Sequence, residues 1–178
     1  MWFQNTWIDM GDKKAKTRTL WEICQEHNIL KEFSSSGLGA LKKGERKCIK
    51  VPVSRLIGCS VALDEAAKEK CPNENRWDYV MDYNGFAFFI EIHPASTSEI
   101  NCVVQKVDFV RKWLSDKEPQ ILDLPQKEAG ARKFYWISSG GTDLRITPGS
   151  PQARKLVSKH IVPVGKVWDY VKIFGKKV

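Results

Sequence analysis

The sequence lacks the long hydrophobic runs of membrane and secreted proteins. No apolar stretch approaches the roughly 18 residues that a membrane-spanning helix needs. The first residues contain no basic stretch followed by an apolar run, which is the pattern of a signal peptide. Internal repeats and low-complexity tracts are also missing. These absences predict a cytoplasmic protein that has no membrane partner.

Cysteine is present, but in no disulfide or zinc-ribbon pattern. The five cysteines are an odd number at irregular spacings, and no Cys-x-x-Cys pair occurs. A disulfide framework uses an even number of cysteines, and a zinc ribbon needs paired motifs. Cys24 and His27 could supply half of a metal site, but no second pair of matching spacing follows them. Reduced, buried thiols are therefore the expected state.

The charge of the chain is positive overall and unevenly distributed. The 178 residues suit one domain over residues 1–178, and 42% hydrophobic residues are enough for a packed core. The net charge of +8 divides into +4 for residues 1–70, −4 for residues 71–130 and +8 for residues 131–178. A basic surface around an acidic centre suits a protein that binds a phosphate polymer and holds a metal. The alternative is a basic surface that serves only solubility.

Apolar periodicity predicts alternating helices and strands. Apolar residues at three- and four-residue steps predict amphipathic helices over residues 17–33 and 98–114. Residues 34–39, with the sequence SSSGLG, are predicted to be a flexible loop. The other predicted elements are a strand over 48–53, a helix over 63–70, strands over 134–138 and 144–147, a helix over 152–161 and a strand over 167–174.

The strongest local signal is a β-hairpin. Residues 76–83 and 86–93 are strand-like runs separated by Asn84-Gly85, and both turn residues tolerate the positive φ of a type I′ turn. A two-residue turn fixes the register and places Asp78 directly opposite Glu91, with side chains about 5 Å apart on one face. Together with the helices, this hairpin predicts an α/β fold with a mixed central sheet flanked by helices.

Asp78 and Glu91 are candidate metal ligands. Like charges placed opposite each other destabilise a hairpin unless a positive charge lies between them. Glu91 also ends an apolar strand, where an ionised carboxylate is costly without a partner. Mg²⁺ or Mn²⁺ prefers carboxylate oxygens and would supply that partner. His93 points to the same face as Glu91 and could bind the metal or act as a general base. The structural alternative is ordinary ion pairs with Arg76 or His93.

These residues resemble the PD-(D/E)XK nuclease superfamily, whose fold is restriction-endonuclease-like. Asp78 is followed by Glu91-Ile92-His93, thirteen positions on, at the end of a hydrophobic strand and before a helix. In that family a hairpin presents an Asp and a Glu-x-Lys, whose carboxylates hold Mg²⁺ while the lysine positions or activates the attacking water. A glutamate on the preceding helix often joins the site, and Glu22 or Glu26 would fill that place.

The chain departs from the family pattern at the lysine. His93 stands at that position, and Asn75-Arg76-Trp77 stands where a proline usually precedes the Asp. Some members carry the lysine on the following helix, where Lys106 is the candidate. The resemblance implies a metal-dependent endo- or exonuclease in which His93 or Lys106 orients or deprotonates the water. The alternative is a catalytically inactive domain of the same fold that binds nucleic acid or a protein partner.

Nucleic acid, with DNA favoured over RNA, is the expected partner, and a homodimer is left open. Basic side chains that neutralise the phosphate backbone would give binding that weakens steeply with salt. The alternative is a solvated turn for the cluster within residues 42–47 and a solvated helix face for Arg154 and Lys155. The candidate contacts form three clusters: Lys42, Lys43, Arg46 and Lys47; Arg132 and Lys133; Arg154 and Lys155.

Overall fold

The computed structural model describes residues 18–140 and 146–175. The strands are β1 (Ser34–Ser36), β2 (Ile49–Lys50), β3 (Ile57–Ala62), β4 (Tyr79–Tyr83), β5 (Phe86–His93), β6 (Phe134–Ser138), β7 (Ile161–Pro163) and β8 (Trp168–Asp169). The helices are α1 (Leu20–Glu26), α2 (Asn28–Glu32), α3 (Leu63–Lys68), α4 (Ile100–Lys117), α5 (Pro119–Asp123), α6 (Pro151–Ser158) and α7 (Tyr170–Phe174). Among these helices, none combines the length and apolarity needed to cross a membrane.

A six-stranded mixed sheet organises the fold, in the order β1-β3-β4-β5-β6-β7. The pairs from β1 to β5 are antiparallel, whereas β5, β6 and β7 run parallel. A parallel pair needs a crossover connection, and α4 lies in the connection from β5 to β6. Strands β2 and β8 form a separate two-stranded parallel sheet. The predicted mixed α/β sheet with flanking helices is confirmed.

The sheet has a hydrophobic core on each face, because its strands are apolar at successive positions and successive side chains point to opposite faces. One core joins the sheet to the helices, with α4 contributing every third or fourth residue. It includes Val80, Phe89, Phe134 and Trp136 from the strands and Val103, Val107, Val110 and Leu114 from α4. The other core is rich in aromatic rings and includes Tyr79, Met81, Phe88, Tyr135, Trp168 and Tyr170.

The hairpin forms in the predicted register. Strand β4 pairs with β5 from Tyr79 opposite Ile90 to Tyr83 opposite Phe86. The turn residues Asn84 and Gly85 have φ values of 52° and 77°, as a type I′ turn requires. Extending the register by one position places Asp78 opposite Glu91.

The N-terminal part of the fold differs from the sequence prediction. The helix predicted over residues 17–33 is interrupted at His27, whose extended backbone ends α1 and whose Nδ1 accepts the Leu30 N–H at 3.3 Å to cap α2. Residue 17 lies outside the described residues. The predicted loop over 34–39 is wrong at its start, because β1 pairs there with β3. Strand β3 itself was not predicted.

Three predicted strands also differ from the structure. The strand expected over 48–53 is reduced to the two residues of β2. The strand expected over 167–174 divides into β8 and α7, because Asp169 accepts the N–H groups of Val171 and Lys172 and caps the helix. Of the strand predicted over 144–147, residues 144 and 145 lie outside the described residues, and residues 146 and 147 are in no strand.

Asp82 is a buried carboxylate at the closed end of the hairpin. It is only 8% exposed, and its Oδ1 accepts the Gly85 N–H at 3.1 Å. Gly58 in β3 leaves room for it, since a Cβ there would meet the Asp82 Oδ2 at 3.2 Å. Burial raises the pKa of Asp82, and the Gly85 N–H opposes that rise only in part.

We expect the Asp82→Asn variant to gain stability relative to the wild type as the pH rises. Because the folded-state pKa is raised, the stability that Asp82 contributes is greatest below its ordinary pKa of 3.8 and is lost as the pH rises through the raised value. Urea unfolding of both proteins from acid to neutral pH measures this. The control Asp116→Asn removes a carboxyl group that is exposed to solvent. A pH-independent difference for Asp82→Asn would contradict the expectation.

Candidate active site

The site lies at the open end of the hairpin, where side-chain carboxylates accept hydrogen bonds from backbone N–H groups. The Glu91 Oε2 accepts the backbone N–H of Asp78 at 3.0 Å. In return the Asp78 Oδ2 accepts the backbone N–H of Ile92 at 2.9 Å. Each carboxylate therefore accepts a backbone N–H from the other arm of the hairpin, and these two bonds hold the side chains next to each other.

Lys106 on α4 places its ammonium group between the two carboxylates. Its Nζ donates a hydrogen bond to the Glu91 Oε1 and lies 3.4 Å from the Asp78 Oδ1. The side chain of Lys106 is 12% exposed, that of Asp78 is 18% exposed and that of Glu91 is fully buried. Val103 and Val107 of α4 pack in the core beside this lysine and hold the helix against the sheet. We call Asp78, Glu91 and Lys106 the carboxylate–lysine cluster.

Burial controls the protonation of this cluster. Desolvation, followed by the charge of Asp78, raises the pKa of Glu91 well above its ordinary value, although Lys106 opposes this. Desolvation also raises the pKa of Asp78, against the effects of Lys106 and the Ile92 N–H. For Lys106, burial lowers the pKa, but the charges of Glu91 and Asp78 together outweigh burial and raise it. The lysine therefore keeps its charge, and two carboxylates share one ammonium group.

The donor set of the cluster fits a hard divalent cation. Its acidic members offer only oxygen atoms, and a bound cation would favour their ionised forms. Mg²⁺ is usually held by one or two carboxylates and keeps several waters. The partial exposure of Asp78 leaves the cluster accessible from solvent. Asp78 and Glu91 are thus the residues that would hold Mg²⁺ or Mn²⁺.

His93 lies beside the cluster but contacts a different acid. Its Nε2 lies 2.7 Å from the Glu99 Oε2, in a hydrogen bond, and its Nδ1 lies 3.9 Å from the Glu91 Oε1. Cys102, one turn after Glu99, donates from Sγ to the Asn75 Oδ1 at 3.5 Å. Burial raises the pKa of the Cys102 thiol, while Lys106 opposes the rise.

Other acidic and basic side chains predicted near the site are engaged elsewhere. Glu22 lies in the first turn of α1, where its Oε2 accepts the Thr19 N–H at 2.8 Å in a capping box. Glu26 forms an ion pair with Arg18. Arg76, the alternative partner for Asp78, donates instead to the Asp64 Oδ1 at 2.7 Å.

The predicted nucleic-acid contacts divide into engaged and free side chains. Arg46 donates to the carbonyls of Leu41 and Gly39, and Arg132 donates to those of Leu122, Leu124 and Ala87. Lys133 pairs with Glu128, and Lys155 donates to Asn101 at 2.9 Å. Four side chains are exposed and form no ion pair within the described part of the chain: Lys42, Lys43, Lys47 and Arg154.

Sequence inspection missed the group formed by His93, Glu99 and Cys102, whose ligand atoms all lie within 4.8 Å of one another. The available signal was their spacing: Glu99 follows His93 by six residues, and Cys102 follows Glu99 by three, at the start of a helix. It also missed a groove of about 660 Å³ along α4, lined by residues that include Asn75, Gln105 and Trp113.

Comparisons with protein families, curated proteins and solved structures gave no match for this chain. The resemblance to PD-(D/E)XK nucleases therefore depends on the residues of the hairpin and of α4.

We expect Lys106→Met to destabilise the metal-free protein by about 3–5 kcal/mol, because it leaves two buried carboxylates without their cation. Adding Glu91→Gln should recover part of this loss, since the double variant no longer buries two like charges. Urea unfolding of the single and double variants in the presence of a chelator gives the coupling energy. As a control, Lys112→Met on the exposed face of the same helix should cost less than about 0.5 kcal/mol. Equal losses for the two lysine variants would show that the cluster does not depend on Lys106.

Proposed function

We propose that the protein is a divalent-metal-dependent nuclease of PD-(D/E)XK type, with its lysine on the helix that follows the hairpin. The observation that supports this most directly is the contact of the Lys106 ammonium group with both Asp78 and Glu91. Lys106 thereby supplies the basic group that the Glu91-Ile92-His93 sequence lacks. The substrate class is nucleic-acid phosphodiesters, with DNA favoured.

Each residue of the cluster has a defined task in this proposal. Asp78 and Glu91 hold Mg²⁺ or Mn²⁺, oriented by the backbone N–H groups that they accept. The bound cation supplies polarisation of the phosphate and a lowered pKa for water. Lys106, which keeps its charge, stabilises negative charge on the phosphate and orients the water by donating hydrogen bonds. His93, the candidate base from the sequence, contacts Glu99 through its Nε2 and has no task in this proposal.

A basic loop beside the hairpin provides the proposed backbone contacts for DNA. Lys42, Lys43 and Lys47 are exposed on this loop. The loop is anchored to the hairpin, because the Tyr79 hydroxyl donates to the Glu45 Oε2 at 2.6 Å. Tyr79 follows Asp78 in the chain, and its ring packs on the opposite face of the sheet from α4. Lysine ammonium groups on such a loop bind phosphates without regard to sequence.

One observation favours an inactive domain of the same fold as a second candidate. All four carboxylate oxygens of Asp78 and Glu91 accept a hydrogen bond from a backbone N–H or are in contact with Lys106. A cluster satisfied by its own chain can be structural, and the protein would then bind nucleic acid or a protein partner without cleaving it.

We expect cleavage of plasmid or oligonucleotide DNA in Mg²⁺ or Mn²⁺ and none in a chelator. Asp78→Asn and Glu91→Gln should abolish cleavage, and Lys106→Met should lower the rate by about 100-fold or more, because a charge-stabilising donor is lost. Gel assays with matched DNA and RNA substrates measure the rate and the substrate class. Lys112→Met, a control on the same helix, should cleave normally. Cleavage that survives Asp78→Asn would contradict the proposal.

Salt dependence tests the proposed basic loop in either candidate function. The triple variant Lys42→Gln, Lys43→Gln and Lys47→Gln should bind a labelled duplex more weakly, and the slope of log affinity against log salt should fall by about one per lost phosphate contact. Fluorescence anisotropy at several salt concentrations, without divalent ions, gives that slope. A triple control with the same charge change replaces the exposed Lys31, Lys68 and Lys70. Equal losses in both triple variants would mean that only net charge matters.

A further inference from the structure

Three metal-binding side chains of different chemistry meet where β5 leads into α4. His93 ends the strand, while Glu99 precedes the helix and Cys102 lies in its first turn. One ligand atom from each side chain falls within 4.8 Å of the other two. All three side chains are partly buried, so they are reachable by an ion yet held by their surroundings.

The donor set distinguishes this group from the carboxylate–lysine cluster. An imidazole, a thiolate and a carboxylate together suit Zn²⁺, whereas Mg²⁺ prefers oxygen ligands alone. Zinc–nitrogen and zinc–sulfur bonds of about 2.0 and 2.3 Å place tetrahedral ligands roughly 3–4 Å apart. The ligand atoms of this group, which all lie within 4.8 Å of one another, are near that spacing.

Neighbouring residues fix the backbone of one ligand and contact the side chain of another. The carbonyl of His93 accepts the Trp136 Nε1–H at 3.1 Å and the Ser139 N–H at 3.0 Å, which fixes the end of the strand. Asn75 receives the Cys102 thiol and itself donates to the Gln105 Oε1 at 2.7 Å. The end of β5 and the side chain of Cys102 are therefore held in place by the protein itself.

We propose that His93, Glu99 and Cys102 bind one zinc ion, with a fourth position left for water. This site lies next to the carboxylate–lysine cluster and is chemically distinct from it. The proposal goes beyond the nuclease function and does not require it, because the three ligands hold the ion whether or not the neighbouring cluster cleaves DNA.

The test uses the full-length protein, stripped of metal and titrated with Co²⁺ and then with Zn²⁺. We expect one tetrahedral Co²⁺ per chain, identified by its intense visible d–d bands, by a thiolate-to-cobalt charge-transfer band in the near ultraviolet and by displacement with Zn²⁺; Co²⁺ bound at the oxygen cluster would give neither signal. Cys102→Ser should remove the charge-transfer band and weaken zinc binding at least about tenfold. Cys48→Ser, a partly buried cysteine in the other core, should leave both unchanged.

Two further variants test the zinc site without changing Cys102. Glu99→Gln should also weaken zinc binding. It replaces Cys102→Ser as the test if circular dichroism shows that Cys102→Ser does not fold. Asp78→Asn should keep the cobalt spectrum even where it abolishes cleavage, so failure of the nuclease proposal and failure of the zinc proposal give different results. A wild-type protein without a thiolate band, or unchanged zinc affinity in Cys102→Ser and Glu99→Gln, would overturn the zinc site.

Discussion

The burial of two like charges at the end of a hairpin is the constraint on which the local structure depends. Glu91 is fully buried opposite Asp78, and an unpaired carboxylate in that position would cost several kcal/mol. Two backbone N–H groups and one ammonium group offset this cost. The ammonium group must come from outside the hairpin, so the hairpin and α4 form a single unit.

Helix α4 meets this requirement through its place in the topology. Parallel pairing of β5 and β6 requires a crossover, and a helix in that crossover packs its apolar face on the sheet. The valines of α4 are buried against the sheet. This packing brings Lys106 to the carboxylates. The same packing brings Cys102 near His93. Both candidate sites therefore depend on the packing of one helix.

Features set by neighbouring residues were predictable from the sequence, whereas features set by distant contacts were not. The register of Asp78 and Glu91 follows from a two-residue turn and strand alternation, both of which are local. Strand β1 consists of three serines whose pairing with β3 leaves no side-chain pattern to recognise. The role of Arg132 was equally hidden, because its acceptors Leu122, Leu124 and Ala87 meet only in the folded chain.

Charge and donor type together determine which cation each neighbouring site favours. Lys106 offsets part of the negative charge of Asp78 and Glu91, so the oxygen cluster attracts a cation less strongly than two free carboxylates would. Zinc binds nitrogen and sulfur ligands more tightly than oxygen ligands. Zinc would therefore favour His93 and Cys102, whereas the oxygen cluster suits Mg²⁺ or Mn²⁺. The lysine that offsets the burial of Glu91 thus also helps to distinguish the two proposed metal sites chemically.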